Sequence, residues 1–337
     1  MDSISNRYPI IVKGKYGYIN NEGNVVIEPK FDYTEEFNDG LAIFAAGDAY
    51  GFINEQGESV IPAKFQDVHN FIEDLSAVEL DDKKGFIDRQ GNIVIEPKYK
   101  EVMDFQEGLA AVQSDYKWGY IDKQGQEVIT PKYQDMSDFS EGLAAVQMGG
   151  KFGYIDKQGN LVIEDKFDYA YGFKDGIAVV SIANKYGFIN KQGELIIHNK
   201  FYLANDFQEG LAAVEFKNKY GFIDIEGNFR IKNTYDWADG FSNGIAIVAE
   251  SEKYGCINKS GDIVIPVKFD NIDALSEDLI SIELDGKWGY ADLNGNLMIE
   301  PQFDDVGRFI NGIASVEKDN KLGYINKQGE YVWKPSR

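Results

Sequence analysis

Lys117-Trp118-Gly119-Tyr120-Ile121-Asp122-Lys123-Gln124-Gly125 is the stretch on which the fold turns. Its pair of glycines, six residues apart, recurs along the chain in steps of 34. The first series is Gly17, Gly51, Gly85, Gly119, Gly153, Gly187, Gly221, Gly255, Gly289 and Gly323, and the second runs in parallel from Gly23 to Gly329. Self-similarity at a fixed period marks a repeat architecture. A chain of 337 residues would suggest two domains by length alone. The unbroken period leaves no room for a linker, so residues 1–337 read as a single continuous array of about ten units.

The chemistry of one unit follows from its spacing. Three residues past the first glycine stands Asn or Asp in every copy, from Asn20 and Asn54 to Asp292 and Asn326. Asx followed by Gly three residues later predicts a type I turn with an Asx side-chain bond and a left-handed glycine, a hairpin closed by a G1 bulge. Tyr120-Ile121 and Val128-Ile129 supply the flanking strands. Leu109-Ala110-Ala111-Val112 forms a further strand, introduced by Phe105-x-x-Gly108; in two copies Asp74 and Asp278 replace that glycine. The segment from Pro97 to Phe105 reads either as a loop packed by its own aromatics or as a short fourth strand. No useful helical periodicity occurs. The expected class is all-β: ten 34-residue repeats of three-stranded antiparallel meanders.

Strand alternation puts Tyr16 and Tyr18 on one face and Gly17 and Ile19 on the other. The bare glycine is expected to admit an aromatic from an adjacent unit. The residue after the glycine is aromatic in every copy except Cys256, and reads as core. The residue before it gives the candidate binding ladder: Tyr16, Tyr50, Trp118, Phe152, Tyr186, Tyr220, Tyr254 and Trp288, broken by Lys84 and Leu322. If exposed, these rings would suit an extended peptide or a sugar.

Charge and composition exclude several functions. Lys plus Arg number 34 and Asp plus Glu 56, a net charge of −22 that opposes nucleic acid and anionic membranes as partners. Hydrophobic residues at 43% and aromatics at 14% require a folded chain. One cysteine, Cys256, and two distant histidines, His69 and His198, cannot supply a disulfide or a nitrogen–sulfur metal site. No phosphate-binding loop is present, so no cofactor is expected. Gly240-Phe241-Ser242-Asn243-Gly244 matches the nucleophile-elbow pattern G-x-S-x-G. Both histidines precede the serine, however, and no strand-to-helix turn surrounds it, so no catalytic residue is assigned. The N-terminus carries neither a basic leader nor a long apolar run, which predicts a cytoplasmic protein.

Lys117-Trp118-Gly119-Tyr120-Ile121-Asp122 and Lys287-Trp288-Gly289-Tyr290-Ala291-Asp292, with Phe105-Gln106-Glu107-Gly108-Leu109-Ala110-Ala111-Val112 beside the first, resemble the WG-repeat (KWG-repeat) proteins of bacteria. Most copies carry Tyr or Phe where the family's tryptophan stands. The resemblance implies all-β arrays whose function is generally unassigned and often taken to be binding, and it carries no catalytic residues. Ten units exceed the roughly four to eight blades of a propeller. The chain also opens on a strand at Tyr8–Val12 and ends on Tyr331-Val332-Trp333 without a split sheet. An open superhelical (solenoid) array is therefore expected, with a closed β-propeller-like ring as the alternative. The expected function is a non-enzymatic, monomeric binding scaffold for protein or peptide partners; the alternative is a binder of glycans or cell-envelope polymers.

Overall fold

Asx turns close the hairpins throughout the computed structural model, which describes residues 6–336. In the unit quoted above, Asp122 Oδ1 accepts the N–H groups of Gln124 (3.0 Å) and Gln126 (2.8 Å). Gly125 N donates to Asp122 O at 2.9 Å, with φ of +74°. The turn also sorts its own side chains. Asp88, Asp156 and Asp292 each accept the side-chain amide of an asparagine four residues on, Asn92, Asn160 and Asn296. Asn54, Asn190 and Asn326 instead donate to a carboxylate there, Glu58, Glu194 and Glu330. In these six turns donor meets acceptor, because Asp accepts only and Asn Nδ2 donates only.

Among the described residues the strands form ten antiparallel sheets, eight of them four-stranded and each ordered as in the chain. The sheet holding Trp118 contains Glu101–Val102, Leu109–Ser114, Lys117–Asp122 and Glu127–Tyr133. The three-stranded expectation is thus corrected. Pro97 to Tyr99 continue the long strand Ile93–Tyr99, and the two-residue strand Glu101–Val102 opens the next sheet. Among the described residues only the sheets Tyr8–Phe31 and Leu143–Phe167 have three strands; in the latter a single bridge, Met136 to Val146, stands in for the short strand.

What approaches the first-series glycine differs from expectation. Trp118 pairs with Tyr133 but Tyr120 with Ile129, so the last strand bulges over Gly119. A Cβ on Gly119 would lie 2.4 Å from Ile129 O and 2.5 Å from Pro131 N. The visitor is the sheet's own backbone rather than a neighbour's ring. Its proline also blunts an otherwise open edge strand.

Two compact units are formed, residues 31–200 and residues 6–30 with 201–336. Within each, consecutive sheets meet through an aromatic pair spaced 19 residues apart, except where Cys256 and Leu275 take those places in the second unit. In the first unit Phe86 meets Phe105 at 4.8 Å between centroids and Tyr154 meets Phe173 at 4.9 Å; in the second, Phe222 meets Phe241 at 4.8 Å and Tyr290 meets Phe309 at 4.7 Å. A carboxylate ties the same neighbours together. Glu141 accepts Gly176 N at 3.0 Å and pairs with Lys191 at 3.0 Å, and Glu209 joins Gly244 (3.2 Å) to Lys259 (2.9 Å) in the same register.

These bonds set the acid response. Lys191 and Lys259 hold Glu141 and Glu209 below their ordinary 4.5, and the partner asparagines hold Asp88, Asp156 and Asp292 below 3.8. A depressed folded pKa contributes stability that is present above the unfolded value and lost as pH falls through the folded one. Burial raises Asp138, the opposite sign, but it is a single group. Thermal melts should therefore show no loss from neutral pH to about pH 5 and fall below about pH 4.5. A melting temperature that rises on acidification from pH 4.5 to 3 would contradict this.

The open array with free ends is also corrected. Within the second unit, the first and last sheets pack face to face. Tyr8, Ile10 and Ile19 share a buried cluster with Ile313 and Tyr324. The Tyr8 and Tyr324 rings lie 5.7 Å apart, Tyr324 donates to Pro9 O at 2.8 Å, and Tyr8 donates to Ile310 O at 2.9 Å. The physical reason lies in the end faces. An open array needs polar caps, whereas Ile10, Ile19, Ile313 and Tyr324 are buried on the facing sides of the terminal sheets. Closure by face packing needs no split sheet, so its absence did not indicate open ends. The first and last sheets are therefore neighbours, as the alternative expected and the open array did not.

Candidate functional site

After each short strand comes a residue whose backbone is fixed and whose side chain is not. His69 N donates to Ala77 O at 2.9 Å, Met103 N to Ala111 O at 2.9 Å, Ser137 N to Ala145 O at 2.8 Å and Tyr171 N to Val179 O at 3.0 Å. In the second unit Asn205, Asp239 and Gly307 make the same bond to Ala213, Ile247 and Ser315. The side chains at this corner range from imidazole to thioether to phenol. Sequence reading missed it, because the residues of this register differ from copy to copy and a search for what recurs passes over them.

Two parts of this register have distinct chemistry. In the first unit, His69 Nδ1 and Asp104 Oδ1 are 3.0 Å apart, both side chains about one-third exposed. The bond to Asp104 raises the His69 pKa above 6.5 against the opposing effect of burial. A raised folded value contributes stability present below the unfolded pKa and lost as pH rises through the folded one. His69→Gln should therefore flatten any decline in melting temperature between pH 6 and 8, leaving the acid limb unchanged.

In the second unit lies a cavity of about 310 Å³ between the sheets Trp237–Phe269 and Asn271–Phe303. Ile245, Ile247, Leu275 and Ile280 form its apolar floor. Asp239, Ser242 and Asn243 come from the first of these sheets, Asp273 from the second and Arg308 from the segment after Asp305–Val306 of the next sheet, all exposed. Ser242 of the G-x-S-x-G match thus lines a cavity, but among the described residues its Oγ meets only the Asn243 amide, at 3.4 Å, and no histidine is in the lining. His198 is exposed on the strand Leu195–Phe201. Burial pushes the Cys256 thiol up to about 12, so it is neither accessible nor a thiolate at neutral pH. Among the described residues no three His, Cys, Asp or Glu gather as a metal site.

The ladder residues sit elsewhere. Tyr16, Tyr50, Trp118, Tyr186, Tyr220, Tyr254 and Trp288 are half-buried and Phe152 is buried. Each of Tyr50, Trp118, Phe152, Tyr220, Tyr254 and Trp288 lies opposite an aromatic of the bulged strand, such as Tyr133 for Trp118 and Phe167 for Phe152. The WG containing repeat matches nine consecutive segments, from residues 16–48 to residues 288–321.

The chain belongs to the WG-repeat family.

No curated protein matches this WG-repeat chain in sequence. Among solved structures, one described as the crystal structure of the eukaryotic initiation factor aligns with a TM-score of 0.59 at 11% identity, covering 96% of this chain and 99% of that one. At that identity the likeness is one of fold. BamB from Moraxella catarrhalis aligns with a TM-score of 0.40 at 11% identity over 79% of this chain and 95% of its own. Among the described residues, no helix is long and apolar enough to cross a membrane.

Proposed function

We propose that this WG-repeat protein is a non-enzymatic, monomeric, cytoplasmic binding scaffold for protein or peptide partners. The observation that carries the reading is the corner after the short strand. One backbone hydrogen bond is kept from sheet to sheet while the displayed side chain changes from His69 to Met103 to Tyr171. A rigid frame that presents unlike side chains in regular order is suited to specificity without reorganisation. The net charge of −22 favours a basic partner surface and fast association. The absence of catalysis rests on the exposed, baseless Ser242.

A glycan reading is favoured by one local feature. Phe152 and Tyr169 are stacked at 6.5 Å and 24°, and Tyr169 is 56% exposed. The test compares wild type with the pair Met103→Ser and Tyr171→Ser, both exposed positions, in pull-downs from native extract read by mass spectrometry and on a glycan array. A protein retained by wild type and lost on the variant, at unchanged circular dichroism, is the expected result. Retention of the same proteins by both forms, or glycan binding abolished by Tyr169→Ala, would contradict it.

A further inference from the structure

The joint between Trp237–Phe269 and Asn271–Phe303 lacks the ring pair that fills its siblings. The spacing of 19 that joins Phe222 to Phe241 and Tyr290 to Phe309 here joins Cys256 to Leu275. The usual two-residue strand is extended to six, Asn271–Ser276, and Leu275 pairs with Ile280. Ile247, opposite Cys256, partly fills the volume inside. The remainder is the cavity of about 310 Å³ above Leu275 and Ile280.

We propose that this cavity binds a free zwitterion of amino-acid size with an apolar side chain. The inference is independent of the scaffold reading. About 310 Å³ sits at the small end of ligand pockets, roughly 300–1,000 Å³, and holds one residue rather than a loop. The aliphatic floor takes the side chain. The rim carries both charges uncompensated: among the described residues, neither Arg308 nor Asp273 has an ion-pair partner within 4.0 Å. Arg308 is a fork for a carboxylate. Asp239 and Asp273, at the same register of adjacent sheets, face an ammonium group. Ser242 and Asn243 add neutral donors and acceptors. A purely anionic or purely cationic ligand would leave one of these sets unanswered.

Isothermal titration of the full chain with L-leucine and L-phenylalanine, beside N-acetyl-L-leucine and L-leucinamide, tests the proposal. Saturable heat is expected from at least one free amino acid, with Kd at least tenfold weaker for both blocked forms, since each loses one charged hydrogen-bonded contact. Arg308→Gln should weaken the free amino acid at least tenfold. Leu275→Phe should restore the ring, abolish binding and leave the melting temperature at or above wild type. No saturable heat at millimolar ligand, equal binding of a blocked form, or undiminished binding by folded Leu275→Phe would each overturn it.

Discussion

Gly119→Ala is expected to destabilise the protein by about 3 kcal/mol, at the upper end of overpacking costs. The new methyl would stand 2.4 Å from Ile129 O and 2.5 Å from Pro131 N. Both are backbone atoms of a bulge whose register is held by the Trp118–Tyr133 and Tyr120–Ile129 pairs. No side-chain rotation relieves the contact, so the bulge itself must move. Gly108→Ala is the control. Gly108 has φ of +84° but open space where a Cβ would stand, so its cost is backbone strain alone, about 1 kcal/mol. Thermal and urea unfolding of the two variants should rank Gly119→Ala as clearly the worse. Equal stabilities would remove the close-approach explanation of the first glycine series.

Tyr324→Ala should cost about 4 kcal/mol, within the range for deleting a buried aromatic. The residue is 4% exposed, packs on the Tyr8 ring and donates to Pro9 O. Tyr8→Ala should cost a similar amount. The informative quantity is their coupling. In an open array, residues at opposite ends of the sequence would act additively. In direct contact they share one interface, and the double variant should cost at least about 1 kcal/mol less than the sum. Additivity within error would place the two rings apart.

Much of the unit was legible because its chemistry is local. The Asp122-to-Gly125 spacing specified the turn, and the structure reproduces both Asx bonds and the left-handed glycine. The short strand was legible only as one of two alternatives, since Glu101–Val102 is too brief to show alternation and its pairing with Gln113 and Val112 is set by tertiary contact. Gly119 signalled a close approach, but the bulge that makes it depends on how Pro131 seats against its own sheet. End-to-end packing had no local signature beyond the missing polar caps. The cavity was half legible. Cys256 stood out as the one non-aromatic in its register and Asp278 as a replaced glycine, yet only the contact between registers 19 apart makes Cys256 and Leu275 one defect. The variable corner was invisible to motif reading, which rewards what recurs.

Hydrogen exchange of the unmodified chain tests the closure most directly. The strand Lys321–Asn326 lies in the last sheet, and Lys253–Asn258 lies inside the same unit between two neighbours. If Tyr8, Ile10 and Ile19 cover the last sheet, the two strands should exchange at the same slow rate. An uncovered terminal sheet would fray and exchange far faster than an interior one. Equal protection of Lys321–Asn326 and Lys253–Asn258 is the predicted result, and rapid exchange confined to Lys321–Asn326 would contradict it.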